Sequence, residues 1–395
     1  MKYDLVFEGG GAKGMVFVGA CEEFFRRGHS FDRLLGTSAG AITATLLAAG
    51  YSPQEMLTAL VEKDGAKSVF AGFMEQPPPL ADDEIRGSAI LRLLNGVDFT
   101  FLPDFAEKKL HEALVRALAR SGSFRHVIAL VERGGWFVAD RFVSWLTTKL
   151  DQGSWKDGQR HFSAMSLEQF FATTGVELSL VASDTDDGRL LVLNHRTAPQ
   201  CPVVWAVRMS MSIPFVWNEV IWQPSWGTYL DRNVAGHAIV DGGLLSNFPI
   251  ELFISDAPQM VKLMGPKKDS RVLGMLIDEK LPVTKGLLVR VDIKPGELRT
   301  VQRLMKLADT ATGAHDKMVI EEYEHLVARL PAAGYGTTEF DMSDERRDAL
   351  VNIGREAMAL YLDAPEGLVL PSKAKRQPGA PMQSTADRIA MSLFE

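Results

Sequence analysis

Three short stretches carry residue types that could do chemistry together. The first is Gly36-Thr37-Ser38-Ala39-Gly40. A G-x-S-x-G run between a strand and a helix has the form of a nucleophile elbow, a sharp turn that projects the serine hydroxyl beside a helix N-terminus. The second is Gly9-Gly10-Gly11-Ala12-Lys13-Gly14, where glycine-rich backbone at a helix start turns N–H donors toward an anion. The third is Asp241-Gly242-Gly243, which sets a carboxylate at a strand end on tight backbone. Asp-Gly by itself is only a turn signal. A hydroxyl, anion-binding amides and a carboxylate are together the parts of an acyl-transfer site.

The glycine loop has two competing readings. A P-loop needs G-x-x-x-x-G-K-[ST], but Lys13 is followed by Gly14 and Met15, so that reading fails. The spacing Gly9, Gly11, Gly14 matches a dinucleotide fingerprint, which expects an acidic ribose partner about 20 residues on, at the end of the next strand. Asp32 lies near that distance but precedes the strand, whose end holds the serine turn. An oxyanion is the better-suited guest. Eight histidines (His29, His111, His126, His161, His195, His237, His315 and His325) are candidate bases for Ser38. His237 and Asp241 share a strand, where four residues span about 13 Å, so they cannot pair there. No histidine sits in a comparable glycine-bounded turn, which favours Asp241 acting on Ser38 directly over a Ser-His-Asp triad.

The elements around these residues read as α/β. Leu5-Val6-Phe7 predicts a first buried strand, with a helix from Met15 to about Arg27 after the glycine loop. Phe31-Asp32-Arg33 reads as turn-prone, Leu34-Leu35 as the end of a short strand, and Ala41–Ala49 as a helix closed by Gly50. A helix is expected over Tyr51–Lys63, then an irregular stretch from Asp64 to Asp104 that is too apolar for a plain linker and suits a lid or a self-packed loop. Glu107–Ala119 and Val138–Leu150 look helical, and Trp136, Phe137, Phe142, Trp145, Trp155 and Phe162 make the middle region aromatic. Core packing explains such rings more often than a lipid-entry face does.

Phe170–Thr174 and Val176–Ala182 read as a strand pattern, Asp184–Gly188 as a tight turn rather than a calcium loop, and Leu190–Leu193 as the returning strand. Val203–Met211 predicts a helix, His237–Val240 a strand delivering Asp241, and Val272–Ile277 a further strand. Helices are expected beyond Gly286, and Ser343-Asp344-Glu345 caps a helix whose Leu350, Ile353, Ala357 and Leu360 share one face. This organisation divides the chain into a catalytic unit at 1–260 with an insertion at about 65–165, an extension at 261–370 packed on it, and a loose tail at 371–395.

The chain has 395 residues, 46% apolar and 24% charged, ordinary values for a globular protein. Its net charge of −7 argues against nucleic-acid binding. Cys21 and Cys201 are 180 residues apart, which fits buried free thiols rather than a metal cluster or disulfide. The first residues lack the apolar core of a secretory signal, and no apolar run reaches the ~18 residues of a membrane span. A cytoplasmic protein is expected, with peripheral contact at a membrane surface left open.

Taken in order, the three motifs resemble those of the patatin-like phospholipase family. The likeness extends to Arg208-Met209-Ser210-Met211-Ser212-Ile213-Pro214 and to Ser246-Asn247-Phe248-Pro249. The resemblance implies a three-layer α/β fold whose central, mostly parallel sheet is flanked by helices. It implies Ser38 as nucleophile, Asp241 as general base, and an oxyanion hole of Gly10, Gly11 and Ala12 amides. Gly9, Lys13, Gly14, Gly36, Thr37, Ala39, Gly40, Gly242 and Gly243 support these groups. The implied substrates are glycerophospholipids and other acyl esters, cleaved with no metal and no cofactor. Lysophospholipase, neutral-lipid esterase and thioesterase activities stand as alternatives on the same residues. A regulated signalling or effector protein with latent lipase activity, awaiting an unidentified activator, is a further alternative, with 64–104 or the region after residue 260 as gate or sensor.

Overall fold

Among the described residues, eight strands build the central sheet: β1 (Lys2–Phe7), β2 (Ser30–Thr37), β3 (Glu177–Asp184), β4 (Arg189–Leu193), β5 (Val220–Ile221), β6 (Ala238–Asp241), β7 (Arg271–Pro282) and β8 (Val327–Ala333). Hydrogen-bonded neighbours follow the order β5-β6-β3-β2-β1-β7-β8, with β4 along β3. The β2, β1, β7 and β8 pairings and the β2–β3 pairing are parallel; β3 meets β4 and β6 antiparallel. The structure is a computed structural model and describes residues 1–65, 67–96, 104–122, 124–156, 158–283, 320–364, 387 and 391.

The helices that matter below are α1 (Val16–Arg26), α2 (Ala39–Ala48), α3 (Pro53–Leu60), α4 (Ala89–Leu94), α5 (Asp104–Arg120), α6 (Arg125–Arg133), α7 (Asp140–Asp151), α8 (Val203–Ser210) and α9 (Asp344–Asp363). Because successive side chains of a strand point to opposite faces, β1 feeds two cores. Leu5 and Phe7 join the core under α1, α2 and α9, while Val6 joins Leu35, Val181, Phe248 and Leu276 on the other face. The sheet therefore has apolar layers on both sides, as the near-continuous apolar strands require.

The register of β3 brings the site together. β2 pairs with Glu177–Val181 and β4 with Leu180–Asp184. A strand has two edges, so these two partners, which overlap at Leu180 and Val181, lie on opposite edges. β6 pairs with Ala182–Asp184, where β4 already holds one edge, and so continues the edge of β2. Thr37 faces Val181 and Asp241 faces Ala182, one strand step apart. The ends of β2 and β6 meet there.

Several local expectations change. Phe31-Asp32-Arg33 belongs to β2, because its charges find partners beside the sheet: Arg33 pairs with buried Asp4, and Asp32 takes Lys2 at 3.2 Å. Phe170–Thr174 is the end of a helix, Leu167–Thr174, fixed by a Ser166–Gln169 capping box and a left-handed Gly175. Leu360 points to solvent, 75% exposed, while Met358 takes the buried position on α9. The Asp64–Asp104 stretch holds helix Asp82–Gly87 and α4, which pack with α5 and α6 around Leu80, Ile85, Leu91, Val115, Ala119 and Ile128. Beyond residue 260, β7 lies between β1 and β8, so the sheet itself runs through that part of the chain. The helices expected just after Gly286, residues 66 and 97–103 of the Asp64–Asp104 stretch, and the tail at 371–395 apart from 387 and 391 lie outside the described residues.

Candidate active site

Ser38 sits at the turn from β2 into α2 with φ 53° and ψ −120°, a conformation that costs a non-glycine residue energy and persists only where the surroundings impose it. They do so here. The Ser38 N–H donates to Ser210 Oγ at 3.0 Å, and Ser210 Oγ–H donates to the Val181 carbonyl at 2.6 Å. The Ser38 carbonyl accepts from Ala41 N at 2.9 Å, starting α2. Gly40 lets α2 approach β1 so closely that a Cβ there would run into the Phe7 carbonyl. Ser210, at the end of α8, is a member of the site that motif spacing alone does not single out.

Asp241 ends β6 beside this turn, 3% exposed. Its N–H donates to the Ser212 carbonyl at 2.9 Å, and its Oδ1 accepts from Gly243 N at 2.8 Å. Oδ2 is buried with no partner at hydrogen-bond geometry among the described residues. Desolvation lifts the carboxyl from its ordinary 3.8 to about 7, against the downward pull of the Ser38 hydroxyl and the Gly243 N–H. A buried carboxylate with an open oxygen beside a serine hydroxyl can take a proton from it. No histidine lines the pocket or bonds Ser38 or Asp241 among the described residues; His237 Nδ1 instead lies 3.0 Å from Asp184 Oδ2. His315 is outside the described residues.

The Gly9–Gly14 loop crosses the same sheet end. Gly9 N donates to the Asn247 carbonyl at 3.1 Å, and Asn247 Nδ2 returns to the Gly9 carbonyl at 2.8 Å. Among the described residues, neither Gly10 N nor Gly11 N donates to a carbonyl. Ala12 N does: it donates to the Thr337 carbonyl at 2.8 Å. Gly11 takes φ 54°, and a Cβ on it would strike that same carbonyl. Lys13, buried within the loop, pairs its Nζ with Glu279 at the end of β7.

Ser38 opens onto a pocket of about 710 Å³ of empty space, continuous with solvent. Ala39, Ile42, Thr43 and Leu46 of α2 form one wall at helical spacing. Met56 and Leu60 of α3, Phe70 and Phe73, Trp145 of α7, and Trp217 with Phe340 also line it, as do Met15 and Val18 on the α1 side. Among the described residues, no charged side chain lines it. Trp145 and Phe142, from the aromatic middle region, are buried, Trp145 against Phe70 and Phe73. The Asp184–Gly188 turn is a hairpin between β3 and β4. Asp184, Asp187 and His237 have ligand-type atoms within 4.8 Å of each other, but Asp184 Oδ1 takes the Asp186 and Asp187 N–H groups and Arg189 lies 2.7 Å from Asp187.

A family model for patatin-like phospholipases matches residues 5–254. The chain belongs to that family. It is thus a lipid acyl hydrolase by family, and the sheet flanked by helices is the family's fold. Uncharacterized protein YqhO of Bacillus subtilis (strain 168) is 27% identical over 369 residues, 92% of this chain and 98% of YqhO. VipD of Legionella pneumophila is similar in structure at 18% identity and a TM-score of 0.45, over 91% of this chain and 66% of VipD. ExoU of Pseudomonas aeruginosa, in its complex with SpcU, gives 18% identity and a TM-score of 0.36, over 91% of this chain and 51% of ExoU. The chain thus spans roughly two thirds and one half of those two structures. Among the described residues, no helix is long and apolar enough to cross a membrane.

Proposed function

We propose that this protein hydrolyses fatty-acyl esters of glycerophospholipids with a Ser38–Asp241 dyad. The observation that carries the reading is the buried Asp241 carboxyl beside the Ser38 hydroxyl, its Oδ2 without a hydrogen-bond partner among the described residues, where Ser38 lines an apolar pocket. Ser38 Oγ attacks the ester carbonyl while its proton passes to Asp241. The carbonyl oxygen gains the charge, and the Gly10 and Gly11 amides receive it, with Ala12 N when Thr337 moves off. The tetrahedral adduct expels the alcohol, which takes the proton back from Asp241 and leaves Ser38 acylated. Water then gives its proton to Asp241, adds to the acyl carbon and releases the fatty acid, and Ser38 recovers its proton. Oxyanion donors of this kind are worth about 10²–10³ in rate each.

The uncharged pocket suits an acyl chain and leaves a polar head group outside. Lysophospholipids, neutral lipids and thioesters present the same chain and are separated by head-group profiling. The experiment is incubation with labelled phosphatidylcholine and phosphatidylethanolamine, wild type beside Ser38→Ala, with products identified. Fatty acid and lysolipid from wild type alone support the reading. Near wild-type release by Ser38→Ala overturns the nucleophile. No release, with a fluorophosphonate probe still labelling Ser38, points to another ester or to an activator.

A further inference from the structure

The helical unit outside the pocket wears its apolar residues on the wrong side. Leu93 of α4, Leu110 and Leu114 of α5, and Phe124, Val127 and Val131 at α6 are 41–74% exposed. They are six of the thirteen large apolar side chains that are exposed among the described residues, gathered in under 40 positions of the chain. Their spacing is helical: Leu110, Ala113, Leu114 and Ala117 fall at i, i+3, i+4 and i+7, and all four are exposed. Val127 and Val131 are one turn apart on α6. These side chains are not a failed core, because the same helices also pack Val115, Ala119 and Ile128 inward around Ile85 and Leu91. Exposed apolar stripes along neighbouring helices are the kind of surface that marks a contact with something.

Charge identifies the occupant. The whole chain carries −7, yet α5, α6 and the turn between them present Lys108, Lys109, Arg120 and Arg125. None of the four pairs with a carboxylate among the described residues. Helices with an apolar stripe flanked by free cations lie in the head-group layer of an anionic bilayer, apolar side inward. The unit is also joined to the pocket. The chain leaves α6 through Gly135–Phe137, which pairs in parallel with Phe215–Trp217, and Trp217 lines the pocket and donates its Nε1–H to the Phe73 carbonyl at 3.0 Å.

We infer that α4, α5 and α6 form a docking face for an anionic lipid surface, presenting the pocket to lipid there. The inference rests on the acyl-hydrolase reading for its purpose but not for its test. Binding is measured by co-sedimentation with vesicles of phosphatidylglycerol and phosphatidylcholine in equal parts, and with pure phosphatidylcholine, using Ser38→Ala protein so that hydrolysis plays no part. Expected is binding to the anionic vesicles that weakens as salt rises. Leu114→Glu with Val131→Glu should weaken it by ~10-fold or more, since charges replace membrane-buried carbons. Lys109→Glu with Arg120→Glu, which alters only exposed cations, provides a second loss that does not depend on the core tolerating the first pair. Both pairs, placed on active protein, should keep wild-type turnover of a soluble short-chain ester. Retained vesicle binding in both variants, or no binding by the parent, overturns the inference. So does a wild-type dimer in sedimentation that Leu114→Glu with Val131→Glu makes monomeric, which would assign the face to a second copy.

Discussion

The carbonyl of Thr337 accepts a hydrogen bond from the backbone N–H of Ala12 at 2.8 Å. Thr337 arrives from the loop between β8 and α9, more than 320 positions along the chain, and its carbonyl occupies one of the three amides proposed here to receive an oxyanion. Phe340 of the same loop lines the pocket and stacks edge-on to Trp217 with ring centroids 5.6 Å apart. The loop thus reaches both the glycine-motif amide and the pocket wall.

That loop is fastened by Glu339, whose carboxylate takes Arg346 Nε at 2.7 Å and the Gly336 N–H at 3.0 Å. If the oxyanion needs Ala12 N, loosening the fastening should help it. Glu339→Ala is expected to raise kcat/KM on a soluble ester by a few-fold, with Tm lowered by the loss of a half-buried ion pair and a turn hydrogen bond. Steady-state kinetics and a melting curve decide. A fall in kcat/KM would show that the loop serves as pocket wall rather than as a cover to be displaced.

The raised pKa of Asp241 fixes the direction of two pH profiles. If Asp241 is the base, as proposed, it must be ionised, so kcat/KM should climb about tenfold per pH unit below about 7 and level off above it. Stability runs the other way. The native carboxyl holds its proton up to about 7 while the unfolded one releases it near 3.8, so the unfolded state binds fewer protons between those values. Stability from this group is present below the unfolded pKa and is lost as pH rises through about 7. Asp241→Asn removes the liability: its Tm should gain on wild type as pH goes from about 4 to about 8, while its turnover drops by ~10² or more. A pH-independent Tm difference would mean that the carboxyl titrates normally.

What the sequence reveals, and what it hides, divides along chain separation. Ser38 and Asp241 are visible because tight turns force glycines next to them. The register that joins them is not visible, since β3 contributes no chemistry of its own and only arranges Thr37 and Asp241 on successive residues. Ser210 and Thr337 act through one hydroxyl and one carbonyl, groups that leave no mark in composition. Asp32 and Arg33 look turn-prone until Lys2 and Asp4 come alongside them in β1. Leu360 fits the apolar face of α9 by spacing, but in the last turn it is Tyr361 and Leu362 that pack against the core and Leu360 that faces solvent.

The pocket wall supplies the remaining prediction. α2 begins at Ser38, and at 1.5 Å per residue Ile42 lies about 6 Å and Leu46 about 12 Å along it. Both line the pocket, so an acyl chain attached to Ser38 and lying against α2 meets Ile42 first. Ile42→Phe and Leu46→Phe each add volume at one depth, at a stability cost of ~1–3 kcal/mol for overpacking. Ile42→Phe should cut turnover of all but the shortest acyl esters, whereas Leu46→Phe should spare medium chains and penalise long ones by ~10-fold, with acetyl ester turnover kept in both. A series of p-nitrophenyl esters of increasing length reads the two cut-offs. Distinct cut-offs in that order trace the chain along α2; a common cut-off, or none, means that it leaves Ser38 in another direction.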